Sequence, residues 1–486
     1  MLCVLVLVIP LATGLVALVA PWSRWIGRVM SVSALGVLAL GITMGVRTSS
    51  HSALLGLDGV LRADALSSFM VIVIGVVSLL AALQTNRTMT FEIHGGMSNA
   101  RARSYCVLFQ VFVTFMLLAV LAANLGILWI AVEATTISTT FLVNHHRTEK
   151  SFEAAWKYVI LCSVGIALAF LGTVLVYFAA LHTGGATHSV ATLDWTSLMR
   201  RAPRLNPGVM RLALALLVLG YGTKVGLAPM HSWLPDAHSQ APAPISALMS
   251  GVLLTVAFYA LLRFKAIADI SLGIAFPRYL FIVVGLASLG VATAMLIGQR
   301  DLKRMLAYSS VEHMGLLALG AAAGSPLAIA AVLLHILGHG TTKSVLFLTS
   351  GEFSHSEGTT EIARITALIA RKPVLGGIFA TAMLALLGFP PFSLFLSEFN
   401  MARAEFEAGL WWVVLITVGL LSVIFASMAL HTRTMLLGTR EGATSQRTPR
   451  SVAVPLIGGL VLCAFVGLSS WPLLSFLRAA AHVVHP

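Results

Sequence analysis

The sequence predicts an all-α polytopic membrane protein with about fourteen transmembrane helices, and three observations carry that reading. Of 486 residues, 58% are apolar and only 10% charged, with a mean hydropathy of +0.93. That composition excludes a soluble globular domain. Apolar stretches long enough to cross about 30 Å of hydrocarbon recur along the chain, separated by short polar connections. Two of them, the seventh and the twelfth, are interrupted by glycine and proline at Gly226–Pro229 and Gly388–Pro391. Proline removes a backbone donor and clashes with the preceding turn, so a continuous helix cannot pass through either point. Long polar inserts are absent, and residues 1–486 read as a single integral membrane domain.

Periodicity and loop chemistry place the spans near 2–20, 29–46, 65–83, 104–122, 125–143, 154–181, 209–228, 244–264, 279–298, 303–322, 326–351, 373–399, 410–432 and 453–475. Met1 leads into the first without a basic segment, so that span is expected to be retained rather than cleaved. The Thr-, Ser- and Arg-rich linker 436–452 is expected to be mobile. With the N-terminus outside, eighteen of the 31 Lys and Arg residues fall on the inner side and eleven on the outer. Lys224 and Lys343 remain inside the membrane. The excess of inner basic residues predicts a plasma-membrane protein with both termini outside.

The polar residues that the spans retain call for explanation, since a charge at mid-bilayer costs at least about 2.5 kcal/mol and needs a partner, water or a purpose. Span five, LWIAVEATTISTTFLVN, carries Glu133 with Thr136, Thr140 and Asn144 on one face. Span seven holds Lys224 just before its break. A polar, proline-rich segment with His231, Trp233, Asp236 and His238 follows. Such irregular backbone survives at membrane depth only where protein or a wet cavity surrounds it. Asp236 reads equally well as a helix cap. Span ten, AYSSVEHMG, carries Tyr308, Glu312 and His313. In span eleven, HILGHGTTKSVLF, residues His335, His339 and Lys343 repeat every four positions and line one face over about 12 Å. Histidine exchanges protons near neutral pH, so this row reads as a proton wire. Glu398 follows the break of span twelve in GFPPFSLFLSEF.

The segment LGYGTKVGLAPMHSWLPDAHSQAPAPISALMSG (219–251) resembles the seventh helix of the antiporter-like membrane subunits of respiratory complex I and its relatives. The similarity runs from about Leu61 to Met435. Within this superfamily, AYSSVEHMG and FEAAWKYVILCSVG (152–165) look most like component F of hydrogenase-4. The resemblance implies two inverted five-helix repeats, over 104–264 and 279–432, and a pairing of Glu133 with Lys224. An opposite charge favours both ionised forms while burial disfavours them, so small movements would shift such a pair. It further implies a proton pathway through Glu133, Lys224, His238, Glu312, His313, His335, His339, Lys343 and Glu398. One departure stands out: Thr255 occupies the position of a central lysine in several relatives, so either His238 and water bridge the middle or the central relay is weaker here.

The four cysteines are scattered without a C-x-x-C pair, and neither G-x-G-x-x-G nor a P-loop is present. Thiolate metal centres and nucleotide chemistry are therefore excluded. No cofactor, metal or catalytic residue is expected in this chain, and the net charge of +13 is loop charge rather than a nucleic-acid surface. The expected function is proton translocation as one subunit of a hydrogenase-4 or formate hydrogenlyase type oxidoreductase. Iron–sulfur and nickel–iron centres would belong to partner subunits. The alternatives are a subunit of an NADH-quinone oxidoreductase or of a multi-subunit cation/proton antiporter, and, from another class, a stand-alone solute transporter.

Overall fold

Polar caps start most of the membrane helices. The computed structural model describes residues 1–50, 53–183, 190–437, 446–469 and 471–485, so 438–445 of the expected mobile linker lie outside the described residues. Helices α1 (Leu2–Val19) and α2 (Arg24–Ser50) precede a small antiparallel hairpin, β1 (Leu54–Gly56) with β2 (Leu61–Ala63). Three-residue strands are too short to leave a period-2 pattern, and the sequence did not announce them. Then follow α3 (Ala65–His94), α4 (Asn99–Leu121), α5 (Leu125–Val143), α6 (Glu149–Leu181), the short α7 (Trp195–Arg201) and α8 (Pro207–Val225). Asp64, Ser98, Asn124, Thr148 and Asn206 each accept a backbone N–H in the first turn of α3, α4, α5, α6 and α8. Those N–H groups have no partner inside the helix, and at a membrane boundary the side-chain cap replaces water.

The second half runs through α9 (Trp233–Gln240), α10 (Ala243–Leu248), a π-helical turn at Met249–Leu253, α11 (Leu254–Leu272), α12 (Ala275–Ile297), α13 (Leu302–Ala323) and α14 (Pro326–Glu357). It closes with α15 (Leu368–Arg371), α16 (Pro373–Leu386), α17 (Ser393–Glu407), α18 (Trp411–Leu437), α19 (Arg450–Leu468) and α20 (Trp471–Val484). Twelve helices among the described residues are long and apolar enough to cross a membrane. The expected spans ten and twelve are not among them. Serines, Glu312 and His313 dilute the hydropathy of α13, and span twelve is two shorter pieces, α16 and α17, parted at Gly388–Phe392. The last expected span also differs: its helix ends at Leu468, and α20 is a separate element.

Helix α14 is the axis of the second half, buried along its whole apolar window and packed against α3, α10, α13, α16, α17, α19 and α20. Its backbone touches the π turn. A Cβ on Gly340 would lie 2.8 Å from the carbonyl oxygen of Gly251, and one on Gly251 3.0 Å from that of Gly340. Only glycine at both positions permits this crossing, which draws His339 and Lys343 into the interior.

A buried ion pair joins the N-terminal end of α3 to α11. Arg263 Nη2 donates to both Asp64 oxygens at 2.8 Å and to Ser67 Oγ at 3.0 Å, while its guanidinium sits 4.6 Å from the Trp195 ring centre. Both residues are almost fully buried. Asp64→Asn removes the countercharge and should destabilise the bundle by about 3–5 kcal/mol, whereas replacing both partners with apolar residues should cost far less. Thermal unfolding of the two variants in detergent tests this; equal losses would show that the pair contributes packing rather than charge compensation.

Candidate functional site

The break in span seven is a helix terminus of defined geometry. Gly226 adopts φ 82°, its N–H bonds to the Thr223 carbonyl, and the Leu227 N–H bonds back to Gly222 at 2.8 Å. This is a Schellman cap, which needs a left-handed residue at the position after the helix. Lys224 thereby falls in the last turn of α8, where the helix dipole favours a cation. Trp233 from α9 folds back and donates to the Thr223 carbonyl at 2.8 Å, closing the gap beneath the lysine.

Lys224 is fully buried and held by hydroxyls. Its ammonium donates to Thr136 Oγ1 at 2.8 Å and to Tyr158 Oη at 2.7 Å. Thr136 in turn donates to Glu133 Oε2 at 3.1 Å. Glu133 and Lys224, expected to pair, are thus joined through one threonine. Tyr158 completes the cage: the Thr139 hydroxyl is spent on the Thr135 carbonyl, so Tyr158 donates to Thr139 over 2.6 Å. Neither Tyr158 nor Thr136 carries a charge, so composition alone did not mark them as lysine ligands. Glu133 itself is only half-buried, on the lateral surface of α5 beside exposed Ile130 and Ile137. Thr136→Val removes the bridging hydroxyl and should slow proton transfer between Lys224 and Glu133 about tenfold, equivalent to about 1.4 kcal/mol. Proton uptake by membrane vesicles reads this directly, and an unchanged rate would take Thr136 out of the path.

The second cluster lies on α13, α14 and α17. Lys343, fully buried, donates to the Leu306 carbonyl at 2.8 Å and to Ser309 Oγ. His335 and His339 are buried on the same helix and face inward rather than toward lipid. His313 Nδ1 and His335 Nε2 are 3.0 Å apart, and His335 Nδ1 lies 3.0 Å from Ser397 Oγ. The tautomers follow from the last link. Ser397 donates its hydrogen to the Leu394 carbonyl at 2.8 Å, so it accepts from His335 Nδ1–H. Neutral His335 then accepts at Nε2 from His313 Nδ1–H, which leaves His313 Nε2 as a free lone pair. That atom and both nitrogens of His339 have no hydrogen-bond partner.

Glu312 is buried within electrostatic range of both Lys343 and Glu398. Glu398 follows Ser397 and is half-buried, its Oε2 packed where a Cβ on Gly388 would fall. It opens on a cleft of about 300 Å³ lined also by Glu405, Phe399 and Val414. Between the two clusters stands His238, fully buried with neither ring nitrogen bonded, its ring 6.3 Å from Trp233 and 5.4 Å from Phe347. Thr255 does not substitute for a lysine there, because its hydroxyl bonds to the Val252 carbonyl of its own helix. Asp236 bridges Lys157 at 3.2 Å and Arg304 at 3.1 Å. His231 is half-buried at the start of the same loop.

A polytopic bundle with two broken helices and an amine buried among hydroxyls in each half defines an antiporter-like membrane subunit. The chain belongs to the family described as NADH:quinone oxidoreductase/Mrp antiporter, transmembrane region, which matches residues 122–425. It is 37% identical over 406 residues to a hydrogenase-4 component F homolog of Methylacidiphilum infernorum, covering 83% of this chain and 84% of that one. It is 32% identical over 336 residues to the NADH-quinone oxidoreductase subunit N of Desulforudis audaxviator, covering 65% of each chain, just under two thirds of that relative. A chain of the membrane-bound sulfane sulfur reductase, an archaeal respiratory membrane complex, has the same fold, with a TM-score of 0.88 at 23% identity over 99% of this chain and 97% of that one.

Proposed function

We propose that this subunit translocates protons within a multi-subunit membrane oxidoreductase of the hydrogenase-4 type. The observation that carries the reading is the pair of fully buried lysines, each solvated by hydroxyl and carbonyl oxygens and each within electrostatic range of a carboxylate, Glu133 or Glu312. A lysine so held exchanges a proton when its few oxygen partners move, and burial makes each partner count. The pathway runs from Glu133 through Thr136 to Lys224, across His238, and through Lys343, Glu312, His313 and His335 to Glu398, with His339 standing beside the His313–His335 link. Two inverted five-helix repeats, 104–264 and 279–432, account for one broken helix in each half. The half-buried Glu133 on an apolar lateral face suits a neighbouring membrane subunit, since lipid would not tolerate it. Redox centres, iron–sulfur and nickel–iron, belong to soluble partners. The complex resides in the plasma membrane with both termini of this chain outside.

Affinity purification of the tagged chain from native membranes, followed by mass spectrometry, tests the assignment. Hydrogenase large and small subunits should co-purify. Recovery of quinone-site and NADH-oxidising subunits would move the chain to the NADH-quinone oxidoreductase branch. A chain recovered alone that drives solute uptake in liposomes would overturn the reading.

A further inference from the structure

We propose that His313, His335 and His339 form a binding site for a divalent transition cation of the Zn2+ class, inside the bundle where α13 and α14 meet α17. All three imidazoles are buried, and one nitrogen from each can be chosen so that all lie within 4.8 Å of one another. The 3.0 Å between His313 Nδ1 and His335 Nε2 is close to the separation of two nitrogens on one zinc, given Zn–N bonds of about 2.0–2.1 Å. The His339 ring centre stands 4.9 Å from that of His313 and 6.3 Å from that of His335, so a modest rotation brings its nitrogen to the same point.

The second observation is what these rings lack. His313 Nε2 and both His339 nitrogens are buried without a hydrogen-bond partner. Buried polar atoms in that state are rare and call for an unseen partner. His339 is the ring with neither nitrogen satisfied, and one of these nitrogens would ligate the ion. Ser397 supplies the outer contact that a ligating histidine usually has: by accepting from His335 Nδ1–H it fixes the ring and turns the Nε2 lone pair inward. His313 joins as a ligand by moving its proton from Nδ1 to Nε2, so no proton leaves the site.

The donor set selects the ion. Neutral imidazoles suit Zn, Cu and Ni, while Mg2+ and Ca2+ require oxygen cages that this cluster does not offer. Three protein ligands leave a fourth position open. Lys343 lies within electrostatic range of His313 and His339 and opposes a cation here, so the site must hold the ion through its imidazole bonds. Glu398, next to Ser397, opens on the cleft described above and marks the entry. The sequence argument against a metal rested on thiolates and did not reach this histidine set. A cation so placed would occupy the middle of the histidine relay and block it.

The test uses the full chain in lipid nanodiscs, loaded with Zn2+ and dialysed against a weak chelator. We expect about one zinc retained per chain, with X-ray absorption reporting three nitrogen ligands near 2.0 Å. His335→Asn and His339→Asn should each lower retention at least tenfold, and Ser397→Ala about tenfold. No retained zinc, or equal retention in the His335→Asn/His339→Asn double variant, overturns the site. Should the variants fail to fold, Co2+ binding to the unaltered chain decides. An intense four-coordinate visible spectrum supports the site, and a weak six-coordinate one overturns it. Retention is read without turnover, so its failure and the failure of the proton-translocating reading are separate results.

Discussion

Lys224→Ala is expected to leave the complex assembled while redox-driven proton movement falls at least about a hundredfold, the scale lost when a positioned proton-transfer group is removed. The fold should survive because Glu133, though it loses a countercharge, is only half-buried and keeps its hydrogen bond. Without the ammonium, Thr136 still donates to Glu133 and Tyr158 still donates to Thr139, so each hydroxyl keeps a partner. The truncation does leave a cavity, which hydroxyl-lined walls allow water to enter. Water restores hydrogen bonds but not a positive charge at the end of α8, and that charge is what would alternate with the ionisation of Glu133. Glu133→Gln should be milder, because an amide oxygen still accepts from Thr136 while the modulating charge is gone. The measurement is proton uptake by vesicles driven by the electron donor of the complex, with subunit content checked on the same preparation. Full coupling in an assembled Lys224→Ala complex would remove the lysine from the mechanism.

Lys224, Lys343 and the histidine row were legible because rare residues in apolar runs stand out against the cost of burying them. The break at Gly226 was legible for a similar reason, as glycine and proline are the strongest local punctuation. What the sequence left obscure depends on partners far apart in the chain. Asp64 and Arg263 are 199 residues apart, and local periodicity says nothing about which helices will stand side by side. Tyr158 and Ser397 belong to residue types that spans carry routinely, so neither signals its role until Lys224 and His335 are seen against them. Thr136 was visible as part of a polar face on α5. That it stands between Glu133 and Lys224 is a matter of rotamer and ångström-scale helix position, which spacing does not encode. The hydropathy that marks most spans fails at α13 because the residues that would do its work are the ones that lower it.

His335→Ala should slow proton movement more than His339→Ala, although the sequence treats the two as equivalent members of one row. The reason is connectivity. His335 is the middle of an ordered chain, accepting from His313 and donating to Ser397, with each link at 3.0 Å. Removing its ring parts two groups that must exchange a proton through it. His339 lies beside the chain, its nitrogens unbonded, so its loss leaves the His313–His335–Ser397 sequence whole. The expected fall for His335→Ala is about a hundredfold at most, since positioned proton transfer contributes about 10²–10⁴-fold and a water can occupy part of the space. The site is polar at both ends, facing His313 Nδ1 and the Ser397 hydroxyl, and this is the condition a bridging water needs. His335→Gln should fall between wild type and alanine, because the amide reaches one neighbour but does not pass a proton between two nitrogens. For His339→Ala a loss below about tenfold is expected, as its ring is within electrostatic range of Lys343 without bonding to it. Time-resolved proton uptake in vesicles carrying each variant ranks them. If His339→Ala proves as damaging as His335→Ala, the relay must pass through His339 in a conformation where its ring swings into the chain. If neither slows uptake, the histidine cluster is not on the proton path.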